Sequence, residues 1–371
     1  MRISKLTNKN YRNLKDGLFE FQNGINYIYG KNAQGKTNLL ESIWMFTGAR
    51  SFRKTKDCDI INFDEEFAKL NGELFFEKRD QKISVNFSMG KRKIFLNDIP
   101  QKYPTSMIGK FRVVLFTPLH LSLIKDGPEN RRKFLDAAIC QLKPSYTKIL
   151  ASYNQNLKQR NALLRQISKN GKKDQSLEIW DSKLARIGTK ILESRMEYFS
   201  LLSPMVTKIY EEISSEKETL NLKYISTVTK KTASEINLKD LESDFLSRLA
   251  DSLNSDLKQG FTSVGPHKDD LEIIIGKKSL KLFGSQGQQR SAVLSLKLSE
   301  SEILEQSLCD PPVILLDDVM SELDISRQKY VINKLEGKQT FITGCDRELA
   351  KLFSSAYLFH MDNGEVIENE L

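Results

Sequence analysis

The segment that most constrains this chain is Gly30-Lys31-Asn32-Ala33-Gln34-Gly35-Lys36-Thr37, which satisfies G-x-x-x-x-G-K-[ST] at every fixed position. Such a loop works only between a strand and a helix, and the flanking residues predict both. Gly24-Ile25-Asn26-Tyr27-Ile28-Tyr29 is a β-branched and aromatic run, and residues 38–46 carry apolar side chains at helical spacing. The glycines let backbone amides curl around phosphate oxygens, Lys36 adds a positive charge, and the Thr37 hydroxyl is placed to ligate Mg²⁺. ATP and Mg²⁺ are thus the expected cofactors. Residues 30–37 (Gly30, Lys31, Asn32, Ala33, Gln34, Gly35, Lys36 and Thr37) form the candidate nucleotide site, with Lys36 catalytic and Thr37 a metal ligand.

A second site is expected near the other end of the chain. Val313-Ile314-Leu315-Leu316-Asp317-Asp318 reads as a buried strand delivering two acids at its carboxyl end. Asp317 would hold Mg²⁺, and Asp318 would polarise the attacking water. Just upstream, Phe283-Gly284-Ser285-Gln286-Gly287-Gln288-Gln289-Arg290 opens a helix, so Ser285, Gly287 and Gln288 form a second anion-binding corner at a helix N-terminus. One phosphate loop has no need of two such corners. Ser285 is therefore expected to close over the ATP held by Lys36 of another copy, in a head-to-tail homodimer that sandwiches two nucleotides.

At 371 residues the chain exceeds one ordinary domain. Strand-like patterns occupy both ends, including hairpin alternation between Leu70 and Leu96 with a turn at Met89-Gly90-Lys91. In between, apolar residues recur at three-and-four spacing from Leu135 to Ile167 and from Leu177 to Ile213, with Pro144 as a kink or fresh start and a polar turn containing Gly171 between the two runs. This reads as an antiparallel helical hairpin. The stretch from Thr219 to Lys239 looks polar and poorly patterned. The expected fold is α/β, a P-loop ATPase head with an antiparallel meander and an inserted helical lobe. Its expected boundaries are 1–120 (ATPase lobe, N-terminal part), 121–245 (helical lobe) and 246–371 (ATPase lobe, C-terminal part).

The formal charge is +9, from 57 Lys and Arg against 48 Asp and Glu. Twelve basic residues fall between Lys125 and Gln175 against four acidic ones, so eight of the nine surplus charges lie at the entry to the helical lobe. Arg50, Arg53, Lys54 and Lys56 form a second basic group. No base-reading motif is visible, so the expected mode is salt-sensitive, sequence-independent contact with the DNA backbone. Cys58, Cys140, Cys309 and Cys345 lack metal or disulfide spacing and are expected to be reduced and mostly buried. No apolar run is long enough for a membrane span, and no signal-peptide pattern stands at the N-terminus, so a cytoplasmic protein without membrane partners is expected.

In the order of its phosphate loop, Ser-Gln-Gly-Gln-Gln-Arg segment, Leu-Leu-Asp-Asp and Ser321-Glu322-Leu323-Asp324, the chain resembles the ABC-type ATPase heads of the SMC class, and most closely the bacterial RecF family. Asn10-Tyr11-Arg12-Asn13-Leu14, residues 127–136 (Gly-Pro-Glu-Asn-Arg-Arg-Lys-Phe-Leu-Asp) and Gly265-Pro266-His267-Lys268-Asp269-Asp270 carry the narrower likeness. The resemblance implies a weak DNA-dependent ATPase of recombinational repair, replication restart and the SOS response. Such a protein dimerises on ATP, binds single-strand gaps or junctions, and promotes recombinase loading with RecO- and RecR-like partners. It also implies dimer contacts at residues 321–324. Where ABC transporters carry a switch histidine, this chain has Thr343-Gly344-Cys345-Asp346, so hydrolysis is expected to be slow. Leu119 and Lys268 also depart from the family pattern. The rival readings are a transporter ATPase subunit, which a long basic insertion disfavours, and an SMC head, whose tether would exceed a hairpin of roughly 60 Å.

Overall fold

The computed structural model describes residues 1–88, 90–171, 174–214, 218–229, 240–353 and 355–370. The N-terminal part carries strands β1 (Arg2–Lys9), β2 (Gly17–Glu20) and β3 (Ile25–Tyr29), helix α1 (Lys36–Met45), then β4 (Phe67–Phe76), β5 (Arg79–Ser88), β6 (Lys91–Leu96), β7 (Ile99–Pro100) and β8 (Val113–Phe116). The middle is helical: α2 (Ser122–Lys125), α3 (Pro128–Leu142), α4 (Tyr146–Asn170), α5 (Ser176–Ser214), then β9 (Leu220–Ile225), α6 (Leu241–Gln259), β10 (Asp270–Ile275), β11 (Lys278–Ser279) and α7 (Leu280–Phe283). Helix α8 (Gln286–Leu308) leads into β12 (Val313–Leu316), α9 (Ile325–Lys334), β13 (Thr340–Gly344), β14 (Ala356–Asp362) and β15 (Glu365–Glu370).

These elements divide into two compact units, residues 1–120 with 300–371 and residues 121–299. In the first, alternation decides one sheet and continuous hydrophobicity the other. Strands β2-β1-β4-β5-β6-β7 pair antiparallel, and β4 buries every second residue, Ala68, Leu70, Gly72, Leu74 and Phe76, while the alternate ones are less buried. The second sheet runs β15-β14-β3-β13-β12-β8, parallel except for β15. Every residue of β12 and β8 is buried, as expected for parallel strands covered on both faces. Leu39, Leu40 and Ile43 of α1 share one apolar core with residues of both sheets, including Val85, Leu315 and Phe341. Strands β3 and β12 are parallel and separated only by β13, so the loops leaving their carboxyl ends emerge at one edge of the sheet.

The second unit contains the helical hairpin. Pro144 marks a fresh start and not a kink, because α3 ends at Leu142 and α4 begins at Tyr146. Gly171 ends α4 in the left-handed conformation at φ 65°, a position that a residue without Cβ takes at little cost. Helix α5 runs 39 residues, about 58 Å. The expected lobe boundary at 245 is not where this unit ends. Leu253 and Leu257 of α6 pack against Leu163, Leu164, Ile167 and Leu177, and β10 pairs with β9 from Asp270↔Ile225 to Ile275↔Leu220, which binds residues up to 299 to the hairpin. The polar reading of residues 219–239 also needs correction. Leu220, Leu222 and Tyr224 alternate buried with exposed Asn221, Lys223 and Ile225, a short amphipathic strand that a scan for longer runs overlooks. Residues 230–239 lie outside the described residues, as does Met89 of the expected turn.

Candidate nucleotide site

The phosphate loop is shaped by its backbone. Gly30 sits at φ 150°, and a Cβ there would lie 2.2 Å from the Met361 carbonyl oxygen. Gly35 sits at φ 100°, with a Cβ position 3.0 Å from Leu14. Only glycine meets both demands. The loop is also braced from outside. Asn13 Nδ2 donates to the Ala33 carbonyl (3.1 Å), Asn38 Nδ2 donates to Asn13 Oδ1 (2.6 Å), and Gln34 Oε1 accepts from the Asn363 amide (2.5 Å). Lys36 is buried, and its ammonium donates to the carbonyls of Gly30 (2.6 Å) and Lys31 (2.8 Å). An ammonium has three donors, so one remains for a phosphate oxygen.

Across the sheet edge Asp317 and Asp318 line the same cleft as the loop. Residues 32–38, Arg53, Asp317, Asp318 and Thr343 line one cleft of ≈ 190 Å³. Thr37 Oγ1 donates to Asp317 Oδ1 at 2.8 Å. Burial pushes the Asp317 carboxyl above the usual carboxylate range, against hydrogen bonds from Thr37 and Thr343 that favour its charged form. A buried carboxylate beside a hydroxyl, aimed at a phosphate cradle, fits a hard divalent cation completed by phosphate oxygens and water. Among the described residues no group of three or more His, Cys, Asp or Glu gathers to hold a metal, so Thr37 and Asp317 would have to share Mg²⁺ with the nucleotide. Asp318 adopts φ 54°, a conformation rare for a residue with a side chain, and its carbonyl and carboxylate both accept from Ser321 Oγ (3.1 and 3.3 Å).

Two residues at this site escaped sequence reasoning. Arg53, grouped there with surface charge, lines the cleft and donates to Asn38 Oδ1 at 2.5 Å. Glu41 of α1 is fully buried and receives two Arg12 donors at 2.9 Å, while Ser51 Oγ also donates to it. Arg12 reaches on to Thr55 Oγ1 (2.7 Å), so the pair ties the segment carrying Arg53 to the helix behind the phosphate loop. The Asn-Tyr-Arg-Asn-Leu segment thus works as a brace, and a buried Glu on a helix was the only signal of it.

The second anion corner, on the second unit, is a formed helix cap. Ser285 Oγ accepts from the Gln288 amide (3.2 Å) and Gln288 Oε1 accepts from the Ser285 amide (2.8 Å), a reciprocal capping box. Ser285 is exposed and keeps its hydroxyl proton for donation. The side-chain amide of Gln288 donates to Glu218 Oε1 at 2.7 Å. Gly287 lies in the first turn of α8.

The basic segment is less free than its count suggests. Arg131 pairs with Asp270 (2.7 Å), Arg160 with Asp181 (2.5 Å) and Asp256 (2.9 Å), Lys133 with Glu129, and Lys143 with Glu197. Asp270, Asp181, Asp256 and Glu197 lie outside the counted stretch, which hides their neutralisation from a local tally. Lys125, Lys148, Lys158, Arg165 and Lys169 are exposed, and Lys172 and Lys173 lie outside the described residues. Of the cysteines only Cys140 is buried. Cys58, Cys309 and Cys345 are exposed free thiols, contrary to expectation. Among the described residues no helix is long and apolar enough to cross a membrane.

The geometry is that of a P-loop ATPase head, and comparison with known proteins places it further. Residues 2–367 match the RecF/RecN/SMC N-terminal domain family. A DNA replication and repair protein RecF from Acetivibrio thermocellus is 39% identical over 350 residues, 94% of each chain. A solved structure described as the recombination mediator protein RecF-ATPrS in the RecFOR pathway is 38% identical, with a TM-score of 0.91 over 100% of this chain and 98% of that one. An Smc head domain from Pyrococcus furiosus shares the fold at 17% identity, with a TM-score of 0.56 over 98% of this chain and 94% of that one. The chain belongs to the RecF family of DNA replication and repair proteins, within the SMC-type ATPases.

Proposed function

We propose that the chain is an ATP-switched DNA clamp of recombinational repair. The observation that carries the reading is the convergence of Thr37, Asp317 and Asp318 beneath the residue 30–37 loop in one cleft. Loop amides and Lys36 would hold the β- and γ-phosphates, and Thr37 and Asp317 would hold Mg²⁺, which when bound would supply positive charge to the phosphoryl oxygens. Asp318 orients the attacking water. With no imidazole at the end of β13, turnover is slow and the nucleotide acts as a switch.

The second anion corner is completed in trans. Ser285 of one copy donates its hydroxyl to the nucleotide held by Lys36 of another, with residues 321–324 at the dimer contact, and two ATP molecules close a twofold homodimer. DNA is gripped through its phosphates by Lys125, Lys148, Lys158, Arg165 and Lys169, so affinity falls steeply with salt and does not vary with base sequence. The RecFOR pathway named for the RecF-ATPrS relative supports RecO- and RecR-like partners, and action at single-strand gaps or junctions is what the family resemblance implies. A cytoplasmic place for the protein fits the DNA replication and repair role named for its RecF relatives.

Sedimentation with and without ATP and duplex DNA tests this reading on wild type, Lys36→Ala and Ser285→Arg. ATP is expected to dimerise wild type alone, Lys36→Ala to lose ATP binding, and Ser285→Arg to bind ATP while remaining monomeric. A wild type that binds ATP and stays monomeric rejects the sandwich.

A further inference from the structure

Thr343 is the penultimate residue of β13, the strand between the phosphate-loop strand β3 and the acid-bearing strand β12. It is 1% exposed. Its single hydroxyl donates to Asp317 Oδ1 at 3.0 Å and accepts from the Asp318 backbone amide at 2.9 Å. One side-chain oxygen therefore touches both acids. The first bond directs one carboxylate oxygen of Asp317, the same oxygen that Thr37 holds from the other side. The second fixes the peptide just before Asp318 Cα, where the backbone takes the rare φ of 54°. A sparsely populated conformation persists only where its surroundings over-determine it, and the hydroxyl supplies such a restraint.

We propose that Thr343 is a positioning residue that locks Asp317 and Asp318 into one arrangement through its hydroxyl, and does not substitute for a phosphate-contacting switch residue. The proposal rests on the nucleotide reading above and deepens it. The hydroxyl's proton and an accepting lone pair are committed to the acids, so the group acts on phosphate only through them. Parallel pairing of β13 with β12 sets the distance, since Leu316↔Ile342 are in register and Thr343 comes directly beside Asp317.

Thr343→Val keeps shape and strand preference while removing the hydroxyl, and Thr343→Ser keeps the hydroxyl. Three quantities are compared with wild type: kcat and KM for ATP, the Mg²⁺ concentration for half-maximal binding of a non-hydrolysable ATP analogue, and analogue affinity without Mg²⁺. Thr343→Val is expected to lower kcat about 10–100-fold and to raise the Mg²⁺ requirement by a similar order, the usual effect of losing a group that orients a metal ligand. Its Mg²⁺-free analogue affinity should stay within about twofold, and Thr343→Ser should recover most of kcat. Lost hydrolysis with an unchanged Mg²⁺ requirement would overturn the proposal and place Thr343 on the phosphate, and wild-type values in Thr343→Val would also overturn it. If Thr343→Val does not fold, judged by nucleotide-free melting, Thr343→Ala carries the same readouts. A wild type that binds no ATP rejects the nucleotide reading itself, which separates the two failures.

Discussion

The nucleotide cleft of the first unit and the core of the second bury charge for opposite ends. In the cleft, Asp317 has two hydroxyls for hydrogen-bond partners and Lys36 leans on two carbonyls, so neither has an ion-pair partner among the described residues. In the second, the buried cations are matched within the protein. Arg195 meets both oxygens of Asp136 at 2.9 Å and donates to the Pro266 carbonyl at 2.6 Å, and Arg160 meets Asp181 and Asp256. Buried charge marks function where compensation is incomplete and architecture where it is complete. The Gly-Pro-His-Lys-Asp-Asp segment belongs to the second kind. His267 joins the Tyr153 hydroxyl (2.7 Å) to the Thr262 carbonyl (2.9 Å), and Asp269 accepts from Tyr224 (2.8 Å) and Thr227 (2.8 Å).

The contrast predicts that changes in the two units dissociate. Asp318→Asn should slow hydrolysis about 10³-fold, equivalent to about 4 kcal/mol of barrier, and prolong the ATP-bound dimer while leaving nucleotide-free melting unchanged. Single-turnover kinetics beside calorimetry check this, and unaltered turnover removes Asp318 from its role. Arg195→Ala should do the reverse. It strands Asp136 and should cost the second unit about 3–4 kcal/mol in denaturant unfolding while ATP affinity is retained. Equal loss of both properties would erase the contrast.

His267 offers a pH test of the same idea. Burial depresses its pKa from the ordinary 6.5 to about 4. The unfolded chain therefore takes up a proton in that window which the folded chain refuses, so stability is full above pH 6.5 and falls as pH drops toward 4, by up to about 3 kcal/mol. Unfolding measured across this range should show a shallower slope in His267→Gln, and an unchanged slope would move the titration elsewhere. The smallest effect is expected at Glu218. This half-buried carboxylate accepts from Gln288 and from the Tyr210 hydroxyl (3.1 Å) beside the Ser285 cap, and in the proposed sandwich it would oppose the incoming phosphate. Glu218→Gln should tighten ATP-driven dimerisation about two- to threefold, roughly 0.5 kcal/mol, with the gain fading at high salt.

Much of the site was legible because its chemistry demands residue types at short spacing. A phosphate cradle needs glycines where φ is positive and a Lys-Thr pair where the helix begins, and those lie within eight positions. The acids after β12 were legible from four consecutive apolar residues. Features that stayed hidden join residues far apart in the chain. Arg53 looked like surface charge because nothing near it in sequence reports the Arg12–Glu41 brace, and Thr343 marked only a missing histidine because its partners stand 26 and 25 positions away. Strand β9 was missed because six alternating residues give little periodic signal beside a polar stretch.

The amino-acid sequence by itself determined the class of fold, the phosphate loop, the order of the acid strand and the helix that Ser285 opens, and the existence of a helical hairpin, because each is encoded in local period and turn chemistry. Tertiary structure alone decided that residues up to 299 belong with the hairpin, that four of the twelve clustered cations are already neutralised, and that one threonine hydroxyl serves two acids. Charge compensation and hydrogen-bond commitment depend on distance in space, and sequence separation does not report that distance until strands and helices have packed.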